Sequence, residues 1–361
     1  MRSHRRAWAM GLFMMTAIHY GYADDQSYAE ISGPMAAATV DSALTHYNPQ
    51  AQIVGTFKIQ GSETMYPLMS RLTMEFQRRQ PKVAIDVKGG GSTKAVAEFL
   101  QPPLSKTGKV MLLEERAGSF KMIATSRELF DAEVKEFVAQ HGYEPTAVPV
   151  AVDAVALYVH KDNPVTGLTL DQVDAMFSTS RNRGHKTAIT QWGQLGLTDG
   201  WEKAPIQLYG RDRKSGTRAF FQDHGLAGGE FMPGLHEEPG AASVILNLGR
   251  DQLGIGYSGL GLQSSTVRLV PLAEAAGMPF VTPAASTVAD QTYPLRRVLY
   301  LYIDKAPNAP LPAAAQEFLK FIVTQEGQEA VSKAGFFPLP VGEAAKSAVA
   351  VGLLSPASTI R

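Results

Sequence analysis

The sequence predicts an α/β protein with mainly parallel sheets, long enough for two domains, and three observations lead there. Short apolar, β-branched runs alternate along the chain with segments of helical period. The length of 361 residues, 45% of them hydrophobic, is more than one core usually organises. Three glycine–hydroxyl turns stand before segments that read as helix: Gly61-Ser62-Glu63-Thr64-Met65-Tyr66-Pro67, Gly89-Gly90-Gly91-Ser92-Thr93-Lys94 and Arg211-Asp212-Arg213-Lys214-Ser215-Gly216-Thr217.

Taken in order, residues 1–23 read as an export signal. Arg2, Arg5 and Arg6 precede an apolar run from Ala7 to Ile18, and Gly21-Tyr22-Ala23 offers a small-x-small cleavage site. With no cysteine after that site, a lipid anchor is not expected. Residues 24–52, rich in Ala, Ser and Asp without strong periodicity, read as an arm. Phe57-Lys58-Ile59 is a strand before the first turn, and Leu68, Leu72 and Phe76 then mark one apolar helix face. Val83-Ala84-Ile85-Asp86-Val87 alternates like a half-buried strand and runs into the second turn, and Phe120 to Ala124 is another short strand.

Val148 to Val159 is almost wholly apolar, with Asp153 its one charge, and reads as a buried parallel strand. Thr169-Leu170-Asp171-Gln172 is a capping box, followed by a helix face of Leu170, Val173 and Phe177. Ile206 to Tyr209 is a strand feeding the third turn, with a helix expected from about Arg218. Val298 to Ile303 is a further strand. Phe318, Phe321, Ile322 and Val331 then predict one long helix stopped by Gly335.

Composition narrows the function. Lys+Arg and Asp+Glu are both 34, which gives no reason to expect a nucleic-acid or membrane-surface partner. Absent cysteine excludes disulfides and thiol chemistry, and the eight histidines show no metal-ligand spacing, so no metal or other cofactor is expected. Lys106-Thr107-Gly108 matches part of a serine-enzyme pattern but has no Ser-x-x-Lys companion, and an enzyme is not expected.

Helix starts expose unpaired N–H groups and the positive end of the dipole. Three such turns, one carrying an arginine, point to a small oxyanion enclosed from several sides. Arg211 with Ser215, Gly216 and Thr217 is the most specific set, because a guanidinium grips two oxygens of a tetrahedral anion.

The order of these motifs resembles the periplasmic phosphate-binding proteins of bacterial phosphate ABC transporters, the PstS-like family. The match runs over residues 53–341. Its further carriers are Ala124-Thr125-Ser126-Arg127, Val152 to Ala156, Asn163-Pro164-Val165 and Tyr293-Pro294-Leu295-Arg296-Arg297. The resemblance implies a two-lobed substrate-binding fold (type II), with mixed, mainly parallel sheets joined by crossing strands. It implies one lobe from residues 53–155 and 285–345, a second from 156–284, and a tail at 346–361. It implies Thr64, Met65, Ser92, Thr93, Ser126, Arg127, Arg211, Ser215, Gly216 and Thr217 as ligand residues. It also implies a monomeric periplasmic carrier that hands inorganic phosphate to a membrane permease.

Two positions depart from the family pattern. Lys94 stands where many members have glycine, and Arg127 where well-known members have the aspartate that accepts the proton of hydrogen phosphate. Glu63 and Asp153 are the alternative acceptors. A receptor for sulfate or molybdate, or an envelope interaction or signalling protein of the same fold, stays open on these grounds.

Overall fold

The computed structural model describes residues 38–102, 120–262, 264–307 and 309–352. The signal-like run 1–23, the arm up to residue 37, Lys106-Thr107-Gly108 and the tail beyond residue 352 lie outside the described residues.

The chain opens with β1 (Gly55–Gly61), α1 (Tyr66–Gln77), β2 (Val83–Lys88), α2 (Ser92–Leu100), β3 (Lys121–Thr125) and α3 (Asp131–His141). Phe57 and Ile59 alternate inward on β1. Helix α1 starts with Pro67 in its first turn and buries Leu68, Leu72 and Phe76 at the predicted spacing. β4 (Thr146–His160) follows, then β5 (Leu168–Thr169) and α4 (Leu170–Phe177). Thr169 and Gln172 form the predicted capping box over buried Leu170, Val173 and Phe177.

The second half of the chain contains β6 (Gln207–Arg211), α5 (Gly216–Phe220), β7 (His236–Glu238), α6 (Ala241–Leu248), β8 (Gly254–Gly259), β9 (Val267–Val270) and β10 (Leu272–Ala273). α7 (Ala285–Ala289), β11 (Arg296–Asp304), α8 (Ala313–Ile322), α9 (Gln325–Lys333) and α10 (Val341–Ala350) complete it.

Eight strands run in the order β2-β1-β3-β11-β4-β8-β6-β7, with β9 added beside β4. The pairs β1–β2, β1–β3, β6–β8 and β6–β7 are parallel. β4 and β11 form the seam. Residues 146–154 of β4 pair with β11, and residues 155–160 pair with β8 and β9. Accordingly Val148, Val150 and Ala151 enter the core built on α1, β1 and α8, while Ala154 to Val159 enter the core built on α4, α6 and β8. This is the two-lobed arrangement, a mixed α/β sheet curling through a crossing strand.

The structure alters two expectations. The Val148–Val159 run is a buried strand, but all its pairings are antiparallel. It is apolar on both faces because it crosses from one core to the next, and both cores cover it. The C-terminal apolar face belongs to two helices, not one. Thr324 adopts an extended backbone, and its hydroxyl accepts the Gly327 N–H at 3.4 Å, so α9 starts afresh after α8 ends.

The described end of the arm is held in place. Leu44 and Tyr47 are buried, the Tyr47 hydroxyl donates to Glu317 at 2.9 Å, and the Tyr47 amide donates to Glu326 at 2.7 Å. Residues from the returning segment reach the second core as well, including Val288, Tyr293, Leu295 and Phe337. Among the described residues no helix is long and apolar enough to cross a membrane.

Candidate functional site

The three glycine–hydroxyl turns meet where the two lobes face each other. β1, β2 and β6 each end at one of these turns; β1 and β2 run parallel, and across the antiparallel β11–β4–β8 seam β6 runs the opposite way, so its end points back toward theirs from the other lobe. From the first lobe come Thr64, at the start of α1, and Ser92, the first residue of α2. Ser126 joins them from the end of β3: its amide donates to the Ser92 hydroxyl at 3.2 Å, and the two hydroxyls lie 3.3 Å apart. From the second lobe come Arg211 at the end of β6 and Ser215, Gly216 and Thr217 at the start of α5. The Thr64 and Thr217 hydroxyls bond across the lobes at 3.0 Å.

The start of α5 is prepared by its own cap. Ser215 Oγ accepts the amides of Thr217 at 3.1 Å and Arg218 at 3.4 Å, so the hydroxyl proton of Ser215 points elsewhere. The Gly216 amide sits in the first helical turn, where no intrahelical acceptor exists.

Arg211 is the decisive side chain. It is 1% exposed, and one nitrogen, Nη2, donates to the Pro239 carbonyl at 3.0 Å. Nε and Nη1 are buried and have no protein partner. Burial pulls its pKa down, neighbouring Asp212 and Tyr257 oppose that, and the nearby Arg297 cation adds to it. A buried guanidinium with two idle donors is costly unless an anion completes it. The Tyr257 hydroxyl accepts the Arg211 amide at 3.2 Å and fixes the strand end from below.

Arg297 was not among the residues expected to bind. It is 3% exposed, its Nη1 donates to the Thr217 hydroxyl at 3.0 Å, and its Nε and Nη2 donate to Asp153 Oδ2 at 3.0 and 2.6 Å. Asp153 is thereby the counter-ion of Arg297 on the paired strands β4 and β11, and its Oδ1 takes none of these bonds. The available signal was a charged pair, Arg296-Arg297, opening an otherwise apolar strand.

Other expected residues lie at the edge of the cluster. The Arg127 guanidinium is buried but bonds both oxygens of Glu133, at 2.7 and 2.6 Å, and lies 4.0 Å over the Phe130 ring. The pairing with Glu133 weakens the field Arg127 offers a ligand, while its buried Nε has no partner. The exposed Glu63 carboxylate accepts the Gly90 amide and sits against Gly89, so it shapes the glycine turn. The Met65 side chain is core, and its amide donates to the Ser62 hydroxyl at 3.3 Å. The Thr93 amide donates to the Lys214 carbonyl at 3.1 Å, a bond between the lobes, while its buried hydroxyl has no partner. Gly91 makes this approach possible. Its φ of 97° is open to glycine, and a Cβ there would lie 2.3 Å from the Lys214 carbonyl oxygen. Lys94 pairs with Glu98 on the surface at 3.3 Å, and Arg213 is mostly solvated.

The arrangement is therefore a ring of hydroxyls, helix-start amides and two buried guanidinia, one unpaired and one neutralised. Its net charge is positive although the chain's is zero. Its chemistry suits a small polyoxygen anion.

Comparison with known proteins agrees with this chemistry. Residues 47–326 match the model of the PBP superfamily domain. The chain is 40% identical over 325 residues to the phosphate-binding protein PstS of Pseudomonas aeruginosa, covering 90% of this chain and 96% of that one. It superposes on a phosphate ABC transporter substrate-binding protein with bound phosphate from Clostridium perfringens, with a TM-score of 0.60 and 24% identity over 79% of this chain and all of the other. An ABC-type phosphate transport receptor from Vibrio cholerae gives a TM-score of 0.58 at 21% identity, again over 79% of this chain and all of the other.

Proposed function

This chain belongs to the PstS family of phosphate-binding proteins, and on that premise we propose that it captures inorganic phosphate between its lobes and delivers it to an ABC transporter. The observation that carries the proposal is the pair of buried, partnerless donors of Arg211, close to Arg297, whose own guanidinium bonds the Thr217 hydroxyl that meets Thr64 across the lobes. Nε and Nη1 take two oxygens of the anion. Thr64, Ser92, Ser126, Ser215 and the Gly216 and Thr217 turn take the others. A dianion sheds its water only where many short donors replace it, and this ring supplies them without a protein-wide positive field.

Asp153 gives the reading its selectivity. Both Arg297 bonds fall on Oδ2, which leaves Oδ1 free to accept the proton of hydrogen phosphate. Sulfate carries no such proton at neutral pH, and its oxygen would face a carboxylate lone pair.

The chain acts as a monomeric, exported carrier, cleaved near Ala23 and working in the periplasm with a membrane permease as partner. Binding and closure are its whole task. Closure brings the Thr64–Thr217 and Thr93–Lys214 contacts into place and buries the ion, a hinge motion driven by contacts available only when the lobes meet. Calorimetric competition with phosphate, sulfate and arsenate on phosphate-stripped protein at neutral pH tests the proposal. One-to-one phosphate binding in the micromolar range or tighter, far stronger than sulfate binding, is expected. No measurable phosphate heat, or equal affinity for sulfate, would remove it.

A further inference from the structure

Gly216 meets the first lobe more closely than any side chain allows. A Cβ at this position would stand 2.4 Å from Ser92 Oγ, 2.6 Å from Ser92 Cβ and 2.7 Å from Ser126 Oγ. All three atoms belong to the opposite lobe. The backbone of Gly216 is helical, so no left-handed conformation demands glycine there. Within its own lobe an alanine would suit the first turn of α5 at least as well. The three atoms nearest to such a methyl group all belong to the facing lobe.

Resting on the phosphate-capture reading, we infer that Gly216 is a size gauge. The missing Cβ sets how near the lobes come, and so which tetrahedral oxyanion the ring of donors fits. Ser92 cannot swing aside freely. It is fully buried, and its hydroxyl is held by the Ser126 amide at 3.2 Å. Its Cβ, at 2.6 Å, has no rotamer that escapes. Ordinary contact begins at about 3.4 Å, so a methyl group at 216 props the lobes apart by about 1 Å. Donors that reached a phosphate oxygen at hydrogen-bonding distance then stand beyond it on one side. An oxyanion of the same charge and proton chemistry but longer central-atom-to-oxygen bonds recovers part of that loss. Arsenate is that ion. The gauge therefore separates size from protonation, which Asp153 reads.

The test is calorimetry of phosphate and arsenate on the phosphate-stripped full chain, as wild type, Gly216→Ala, Ser92→Gly and the double variant. Gly216→Ala is expected to weaken phosphate at least about tenfold and arsenate less, so that the ratio of the two affinities moves toward arsenate at least about threefold. On the Ser92→Gly background the two nearest facing atoms are gone and the remaining Ser126 Oγ, a single hydroxyl that loses its Ser92 partner, can rotate away, so the same substitution is expected to cost less than about threefold. Without ligand, Gly216→Ala should melt no lower than wild type. Equal weakening of both ions overturns the inference, and so does an undiminished cost on the Ser92→Gly background. A drop in the ligand-free melting temperature would mark Gly216 as structural and also overturn it. If the wild type itself binds no phosphate, the underlying reading and the gauge fall together, a result distinct from these three.

Discussion

Replacing Arg211 with alanine separates a binding role from a structural one. In the structure the side chain makes one bond, Nη2 to the Pro239 carbonyl, and keeps Nε and Nη1 buried without partners. Each charge-assisted hydrogen bond to an anion contributes about 1.5–3 kcal/mol. Two of them give about 3–6 kcal/mol, which is roughly 10²–10⁴ in Kd at 1.4 kcal/mol per decade. The ligand-free protein responds differently. There the wild type carries a desolvated cation whose pKa burial has already lowered, so its removal relieves a penalty while losing one hydrogen bond and the packing of the stem. The ligand-free melting temperature is therefore expected within a few degrees of wild type. Titration calorimetry of phosphate and a thermal melt of phosphate-stripped protein read the two quantities. A loss of affinity under tenfold refutes the reasoning. So does a large fall in ligand-free stability, because Arg211 would then be a strut.

Three further outcomes follow from neighbouring groups. Arg127→Met breaks the buried pair with Glu133; it should lower stability by about 2–3 kcal/mol, less than a fully buried pair because Glu133 is partly exposed. Phosphate affinity should move less than about threefold, and a tenfold loss would return Arg127 to the ligand set. Asp153→Asn removes the carboxylate proposed to accept a ligand proton. The preference for phosphate over sulfate should drop at least about tenfold in competition calorimetry, and an unchanged preference would leave Asp153 as the counter-ion of Arg297 alone. Glu326 anchors the arm. Burial raises its pKa, but bonds from the Tyr47 amide, from its own amide and from His46 outweigh this and leave it lowered. A lowered carboxyl pKa contributes stability that is present above the unfolded value and lost as pH falls through the folded one. Glu326→Gln should thus cost about 0.5–1 kcal/mol at pH 7 and less at pH 3, below the unfolded carboxyl value, with urea melts at the two pH values as the measurement. A constant cost at both would contradict the charge argument.

Much of the fold was legible because its signals are local. The helix face Leu68-Leu72-Phe76, the capping box at Thr169 and the short strand Phe57-Lys58-Ile59 each rest on residues within a few positions of one another. The anion reading was legible for the same reason: a glycine–hydroxyl turn that starts a helix is an anion site in miniature. Resemblance to a family then supplied the order in which three such turns belong to one pocket.

The chain by itself determined which segments are strand or helix, that the site must work with local donors rather than bulk charge, and that Arg211 sits beside a hydroxyl-rich helix start. Only the tertiary structure decided which buried charges pair with one another. Arg297 meets Asp153 across 144 residues, and Arg127 turns to Glu133 six residues away. It also decided that the apolar run 148–159 pairs antiparallel, whereas the break between α8 and α9 is a local cap at Thr324 that the apolar pattern alone did not reveal. The physical reason is the same throughout. Periodicity and capping are properties of one turn of backbone, whereas the partner of a buried charge depends on which strands lie side by side, and that is set by the packing of both cores at once.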